Sequence, residues 1–223
     1  MRRQLMAIAV VLFAASSVNA ALVNVQDSTA PWNAYMNVFE LPANGGAFIF
    51  GSPWGIADLN TTFDDANNKL TLSPNTIGDP DPFWYQGGGM PGAAGNKIME
   101  ANLYIEETDV YNGDTLTFEG TVLSNTYTQA HEAFIFIRDF APDYSSFNET
   151  IIPATAGPFS ISLAIAPGAG RHVQYGFQSI GENVWVTDTA PFGNVMIGTV
   201  PEPATLALIG FGGLALIRRR RAA

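Results

Sequence analysis

The sequence predicts an all-β fold, a two-sheet sandwich of jelly-roll kind. Three observations point there. Short segments of period-two alternation recur through residues 21–203. Clusters of Gly, Pro, Asn and Asp separate them. No amphipathic helical pattern interrupts the series. The span is long enough for one domain with its own core.

The elements follow in chain order. Early strands are expected over residues 33–41, 47–50, 59–63 and 70–73. Over 99–106, Met99, Ala101, Leu103 and Ile105 face one way, and Glu100, Asn102, Tyr104 and Glu106 the other. Asn112-Gly113-Asp114 is a turn signal. Over 115–123, Leu116, Phe118 and Val122 oppose Thr115, Thr117, Glu119 and Thr121. Residues 133–140 are apolar on both faces, which suits a central strand. Over 159–165, Phe159, Ile161, Leu163 and Ile165 oppose Ser160, Ser162 and Ala164. Val173, Tyr175 and Phe177 alternate with His172, Gln174 and Gln178, and residues 194–197 make a short closing strand. The Gly-rich stretch 86–95 reads as a surface loop, because no Gly-Lys-Ser or Gly-Lys-Thr follows it.

Composition removes several chemistries. There is no cysteine, so disulfides, thiol catalysis, cysteine zinc sites and Fe–S clusters are excluded. Two histidines, His131 and His172, are too few for an all-histidine metal site. They come with no Gly-x-Ser-x-Gly. Residues 21–203 hold four basic residues (Lys69, Lys97, Arg138, Arg171) against twenty acidic ones, a net charge of −16. Such a surface repels nucleic acid and anionic lipid.

Candidate binding chemistry comes from aromatics near turns. Sugar recognition uses flat rings against pyranose C–H faces, with planar polar groups for the hydroxyls. Trp54, Trp84 and Tyr85 are the candidate ligand-binding residues. Asp79-Pro80-Asp81-Pro82 is a stiff lead into the last two. The other reading is that these rings plug the ends of the sandwich, which is the preferred reading for Trp32 and Trp185. The polar strand faces of Glu100, Asn102, Tyr104, His172, Gln174 and Gln178 either line a concave groove or form a solvated sheet face. No catalytic residue, cofactor or metal ligand is assigned. Asp58, Asp64, Asp65, Asp79 and Asp81 sit in loops and have the hard oxygens a structural calcium takes, without EF-hand spacing.

Both ends of the chain read as targeting segments. Arg2-Arg3 precede an apolar run from 5 to 15, and Val18-Asn19-Ala20 supplies small residues before a cut between Ala20 and Ala21. Residues 1–20 are therefore expected to be a signal peptide, read by the general secretion machinery. At the other end stand Pro201-Glu202-Pro203, an apolar run over 204–217, and Arg218, Arg219, Arg220 and Arg221. A helix of that run is ~21 Å long, short of a ~30 Å hydrocarbon core. Snorkelling arginines make up the difference and set a cytoplasmic end.

These three parts in this order resemble the PEP-CTERM sorting tail of exported bacterial proteins, also labelled an ice-binding protein C-terminal domain. The resemblance implies export, transient anchoring of 200–223 in the inner membrane, and cleavage near the Pro-Glu-Pro by an exosortase-type membrane protease. It leaves residues 21–199 as the cargo, a β-sandwich domain. That domain resembles galactose-binding-like carbohydrate-binding modules in the order of 35–41, 54–63, Gln174-Tyr175-Gly176-Phe177 and Gly193-Asn194-Val195-Met196-Ile197. It departs from them in lacking their acidic pair in the last strand, near Asn194. The expectation is an exported, non-catalytic surface or matrix protein whose partner is extracellular polysaccharide. The alternative is a secreted polysaccharide-active enzyme that uses loop carboxylates, with its two carboxyls ~5–9.5 Å apart in an aromatic-lined cleft.

Overall fold

The computed structural model describes residues 20–128 and 131–199. The expected signal peptide up to Asn19 and the expected tail elements, Pro201-Glu202-Pro203, the 204–217 helix and Arg218 to Arg221, lie outside the described residues. Among the described residues every regular element is a strand or a short 3-10 turn.

The strands are β1 (Ala20–Asn24), β2 (Trp32–Glu40), β3 (Phe48–Pro53), β4 (Thr61–Asp64), β5 (Lys69–Leu72), β6 (Thr76–Ile77) and β7 (Lys97–Thr108). They continue as β8 (Thr115–Asn125), β9 (Glu132–Phe140), β10 (Phe147–Pro153), β11 (Gly157–Ala164), β12 (His172–Glu182), β13 (Val184–Trp185) and β14 (Val195–Gly198). The alternating segments therefore became strands, several of them longer than expected. Four strands carry too little pattern to be read. β6 and β13 have two residues each, β10 is an edge strand with mostly exposed side chains, and β1 overlaps the cleavage signal.

Two six-stranded sheets make the body. One runs β10-β9-β12-β7-β2-β3, all antiparallel. The other runs β11-β8-β14-β5-β4, with β1 also on β8. β9 lies between two partners, as its two apolar faces require. The inner faces meet around Phe118 of β8, whose ring centroid lies 5.3 Å from that of Phe159, 5.4 Å from Tyr175 and 5.6 Å from Phe177. Trp32 closes one end against Phe63 and Phe177, and its indole N–H donates to Asp27 O at 2.8 Å. The buried apolar cluster runs from Val25 to Ile197, so the cargo region holds its own core.

β1 and β14 share one edge of β8. β1 pairs in parallel with Thr115 to Glu119, and β14 pairs antiparallel with Thr121 to Asn125. They meet at Gly120. A Cβ there would lie 2.6 Å from Val25 Cγ2 and 2.7 Å from Phe159 Cζ, so the close approach requires glycine.

Candidate functional site

The site is the outer face of the β10-to-β3 sheet. Side chains alternate across a strand, so strand register sets them in rows. One row reads Glu149, Arg138, Gln174, Glu106. The next reads Ile151, Phe136, Gly176, Tyr104. The third reads Phe134, Gln178, Asn102, Tyr35. The fourth brings Glu100 opposite Asn37. Gly176 leaves a gap in the second row, and a Cβ there would collide with the β7 backbone, 2.1 Å from Leu103 O. The result is a groove of about 800 Å³.

Polar bonds tie its floor together. Arg138 Nη1 donates to Asn102 Oδ1 at 2.8 Å, and Gln178 Nε2 donates to the same oxygen at 3.0 Å. Arg138 Nε donates to Glu149 Oε2 at 3.0 Å. Asn37 Nδ2 donates to Glu100 Oε1 at 2.9 Å, and Gln174 Nε2 to Glu106 Oε2 at 2.7 Å. The Tyr144 hydroxyl donates to Glu106 Oε1 at 2.9 Å. Asn102, Gln174 and Gln178 are buried although they face outward. Buried amides cost stability unless bonded, and these are bonded.

Aromatic rings frame the polar floor. Tyr144 stacks on His172 with centroids 4.3 Å apart, and the His172 Nδ1 lies 2.8 Å from Thr108 Oγ1. Phe140 and Phe147 pack 4.9 Å apart beside them. The Tyr104 pKa is pushed up to about 12, by burial first and then by the Glu106 charge, so its hydroxyl stays protonated at neutral pH. Tyr144 is likewise pushed to about 12, by burial and by Glu106.

The structure brings together the polar strand faces singled out in the sequence, with His172 at the rim. Sequence reasoning missed Arg138, Asn37, Tyr35, Glu149 and Tyr144. Arg138 had a signal: it is the one charged side chain in 133–138, an otherwise apolar run.

The three ring candidates are not in this groove. Tyr85 is corrected outright: it has no exposed surface. Its hydroxyl lies 2.5 Å from Ile77 O and 2.9 Å from Val184 O, bridging β6 and β13. Burial pushes its pKa up. The loop that follows Asp79-Pro80-Asp81-Pro82 turns the ring inward. Asp79 and Asp81 spend their carboxylates on the backbone N–H groups of Asp81 and Phe83. Trp84 is half-buried, edge-on to Phe83 at 4.7 Å and to Phe50 at 6.3 Å. Trp54 is half-buried, donates to Ser52 Oγ at 2.9 Å, and lines a separate hollow with Asp58, Ile77 and Val186. Trp54 and Trp84 thus do not line one site. Trp185 packs edge-on to Tyr85 at 5.3 Å, as a plug does.

The other loop carboxylates are also bonded to backbone N–H groups. Asp58 accepts from Gly55 N at 3.1 Å, Asp64 from Asn67 N at 3.2 Å, and Asp65 from Ser28 N at 3.1 Å. Among the described residues no group of three or more His, Asp or Glu side chains comes together to hold a metal ion. Nor is any helix among them long and apolar enough to cross a membrane.

Against known proteins, neither a curated protein nor a solved structure matches this chain. Residues 199–221 match the PEP-CTERM protein-sorting motif. The match begins at Thr199, a buried residue whose N–H donates to Asn68 O at 2.9 Å, directly after β14. The chain therefore carries, immediately behind its folded β-sheet domain, the motif of exported proteins that are processed by an exosortase-type system.

Proposed function

We propose that this chain is an exported, non-catalytic protein of the cell surface or extracellular matrix, and that its groove binds a polysaccharide. In this reading residues 1–20 are a signal peptide taken by the secretion machinery. Residues 204–217 anchor the chain in the inner membrane until an exosortase-type protease cuts near Pro201-Glu202-Pro203. The sorting motif supports the address. The groove supports the task. A floor of bonded amides and carboxylates between tyrosine and phenylalanine rings matches what hydroxyl-rich pyranose rings need.

The strand order supports the jelly-roll reading. β5-β14-β8-β11 and β7-β12-β9-β10 interleave in sequence as two Greek keys do. The enzyme reading drew on loop carboxylates; Asp58, Asp64, Asp65, Asp79 and Asp81 each accept from a backbone N–H, which favours the non-catalytic reading.

The test is retention of residues 21–199 on a panel of immobilised polysaccharides. At least one should retain the protein. Tyr104→Ala should weaken that retention at least ~10-fold with the melting transition kept within a few degrees. No retention by any member of a broad panel would refute the binding role.

A further inference from the structure

We propose that the groove sorts glycans by charge. It takes chains whose substituents are hydroxyl or amino groups and turns away chains bearing uronate, sulfate or phosphate. The inference rests on the glycan reading above and adds the substrate class.

Charge comes first. The groove carries three carboxylates, Glu100, Glu106 and Glu149, and one cation, Arg138. Arg138 is already matched by Glu149 at 3.0 Å. An anionic sugar would therefore face Glu100 and Glu106, beside which stands only His172, 3.9 Å from Glu106 and a cation only when protonated. The other basic side chains bring no relief: Lys97 is paired with Glu40 and Arg171 with Asp139, and none of Lys69, Lys97 and Arg171 lines the groove. The cargo as a whole adds the same sign, with four basic against nineteen acidic residues over 21–199.

The hydrogen-bond inventory points the same way. An amide beside a carboxylate must turn its NH2 group toward it. Asn37 and Asn102 donate to Glu100, and Gln174 donates to Glu106. The floor amides thus give N–H groups to its own carboxylates. The carbonyl oxygens of Asn37 and Gln174, Glu100 Oε2 and Glu149 Oε1 stay available to accept. On the donor side stand the hydroxyls of Tyr35 and Tyr104 and the N–H groups of Arg138 that Glu149 and Asn102 do not take. Two of the open acceptors are carboxylate oxygens, which a donating ligand can meet and an anion cannot. Hydroxyl and ammonium groups donate; carboxylate and sulfate groups only accept. An anion would lose its hydration on the buried amide floor beside the Glu100 and Glu106 carboxylates.

Matched pairs test this. Each acidic polysaccharide in the panel is set beside its carboxyl-reduced or desulfated form, so linkage is held constant. Retention of residues 21–199 is measured at low salt. The neutral member of a retained pair should bind at least ~10-fold tighter than its acidic parent. Glu100→Gln combined with Glu149→Gln keeps the shape and should narrow that gap at least ~3-fold. Glu119→Gln, on β8 of the opposite sheet, should leave it unchanged. Equal or tighter binding of the acidic member overturns the charge inference while the glycan reading stands. If Glu119→Gln narrows the gap as much as the groove variant does, the general field of the domain discriminates, and the groove does not. If no member of any pair is retained, the glycan reading fails and this inference falls with it.

Discussion

The guanidinium carbon of Arg138 lies 4.0 Å above the ring of Phe136. Phe136 has no exposed surface, yet it belongs to the outer face of its sheet and not to the core between the sheets. The arginine therefore does two things. It roofs an outward-facing aromatic ring, and it links Glu149 to the amide floor through Asn102.

Removing that roof should cost both stability and binding. Arg138→Ala leaves Glu149 without its partner and exposes Phe136. Expected is a loss of ~1–3 kcal/mol in chemical denaturation. Retention on a binding polysaccharide should fall at least ~10-fold. Arg138→Lys should restore the charge but not the retention, because a lysine cannot stack flat or fork its donors.

The core prediction concerns Phe118, which joins three aromatic partners from both sheets. Phe118→Ala should destabilise by ~3–5 kcal/mol. A domain without disulfides and of ordinary stability would then sit near its folding threshold. Urea titration reads the value, and a loss under ~1 kcal/mol would contradict the central placement of this ring.

The junction of β1, β8 and β14 gives a steric prediction. Gly120→Ala drives a methyl into Val25 and Phe159 and should cost ~1–3 kcal/mol. Hydrogen exchange should show the loss first in β1, whose pairing partner ends at Glu119. Unchanged exchange in residues 21–24 would rule the clash out.

His131 sets a pH dependence. It is buried between Tyr127 and Phe192, and burial lowers its pKa below 6.5. The unfolded chain therefore binds the proton more readily than the fold does. The stability tied to a neutral His131 is complete above the unfolded value and is lost as pH falls from there through the folded value. Glu182 works in the opposite sense, since burial raises its pKa above 4.5 and favours the fold as pH drops through that lower window. Melting temperatures should therefore fall from about pH 7.5 to 5.5 in the native protein, and His131→Gln should flatten that slope. A variant with the native slope would show that His131 is not the titrating group.

Processing is checked by intact mass. The secreted form should begin at Ala21 and lack Arg218 to Arg221. A cut after Ala20 removes one residue of β1 and leaves Ala21, Leu22, Val23 and Asn24 to pair with Leu116, Thr117, Phe118 and Glu119. A secreted mass that includes either end segment would count against the assigned address.

The sequence by itself determined which residues face the core. Alternation is a local property of each strand, so Leu116, Phe118, Ile161, Val173 and Phe177 could be read without knowing any partner. It also determined the address, because a sorting signal is a contiguous stretch that needs no fold to be recognised. The groove is another matter. Its polar face on β7 and β12 was visible as a pattern. Only the register of four strands set Arg138 and Glu149 beside Gln174 and Glu106, across tens of residues of sequence. Strand order and register depend on non-local pairing, which no short window contains. The same holds for Tyr85. Its loop stiffness was legible, but the direction of its ring was decided by two backbone oxygens, on β6 and on β13, the latter far away in sequence.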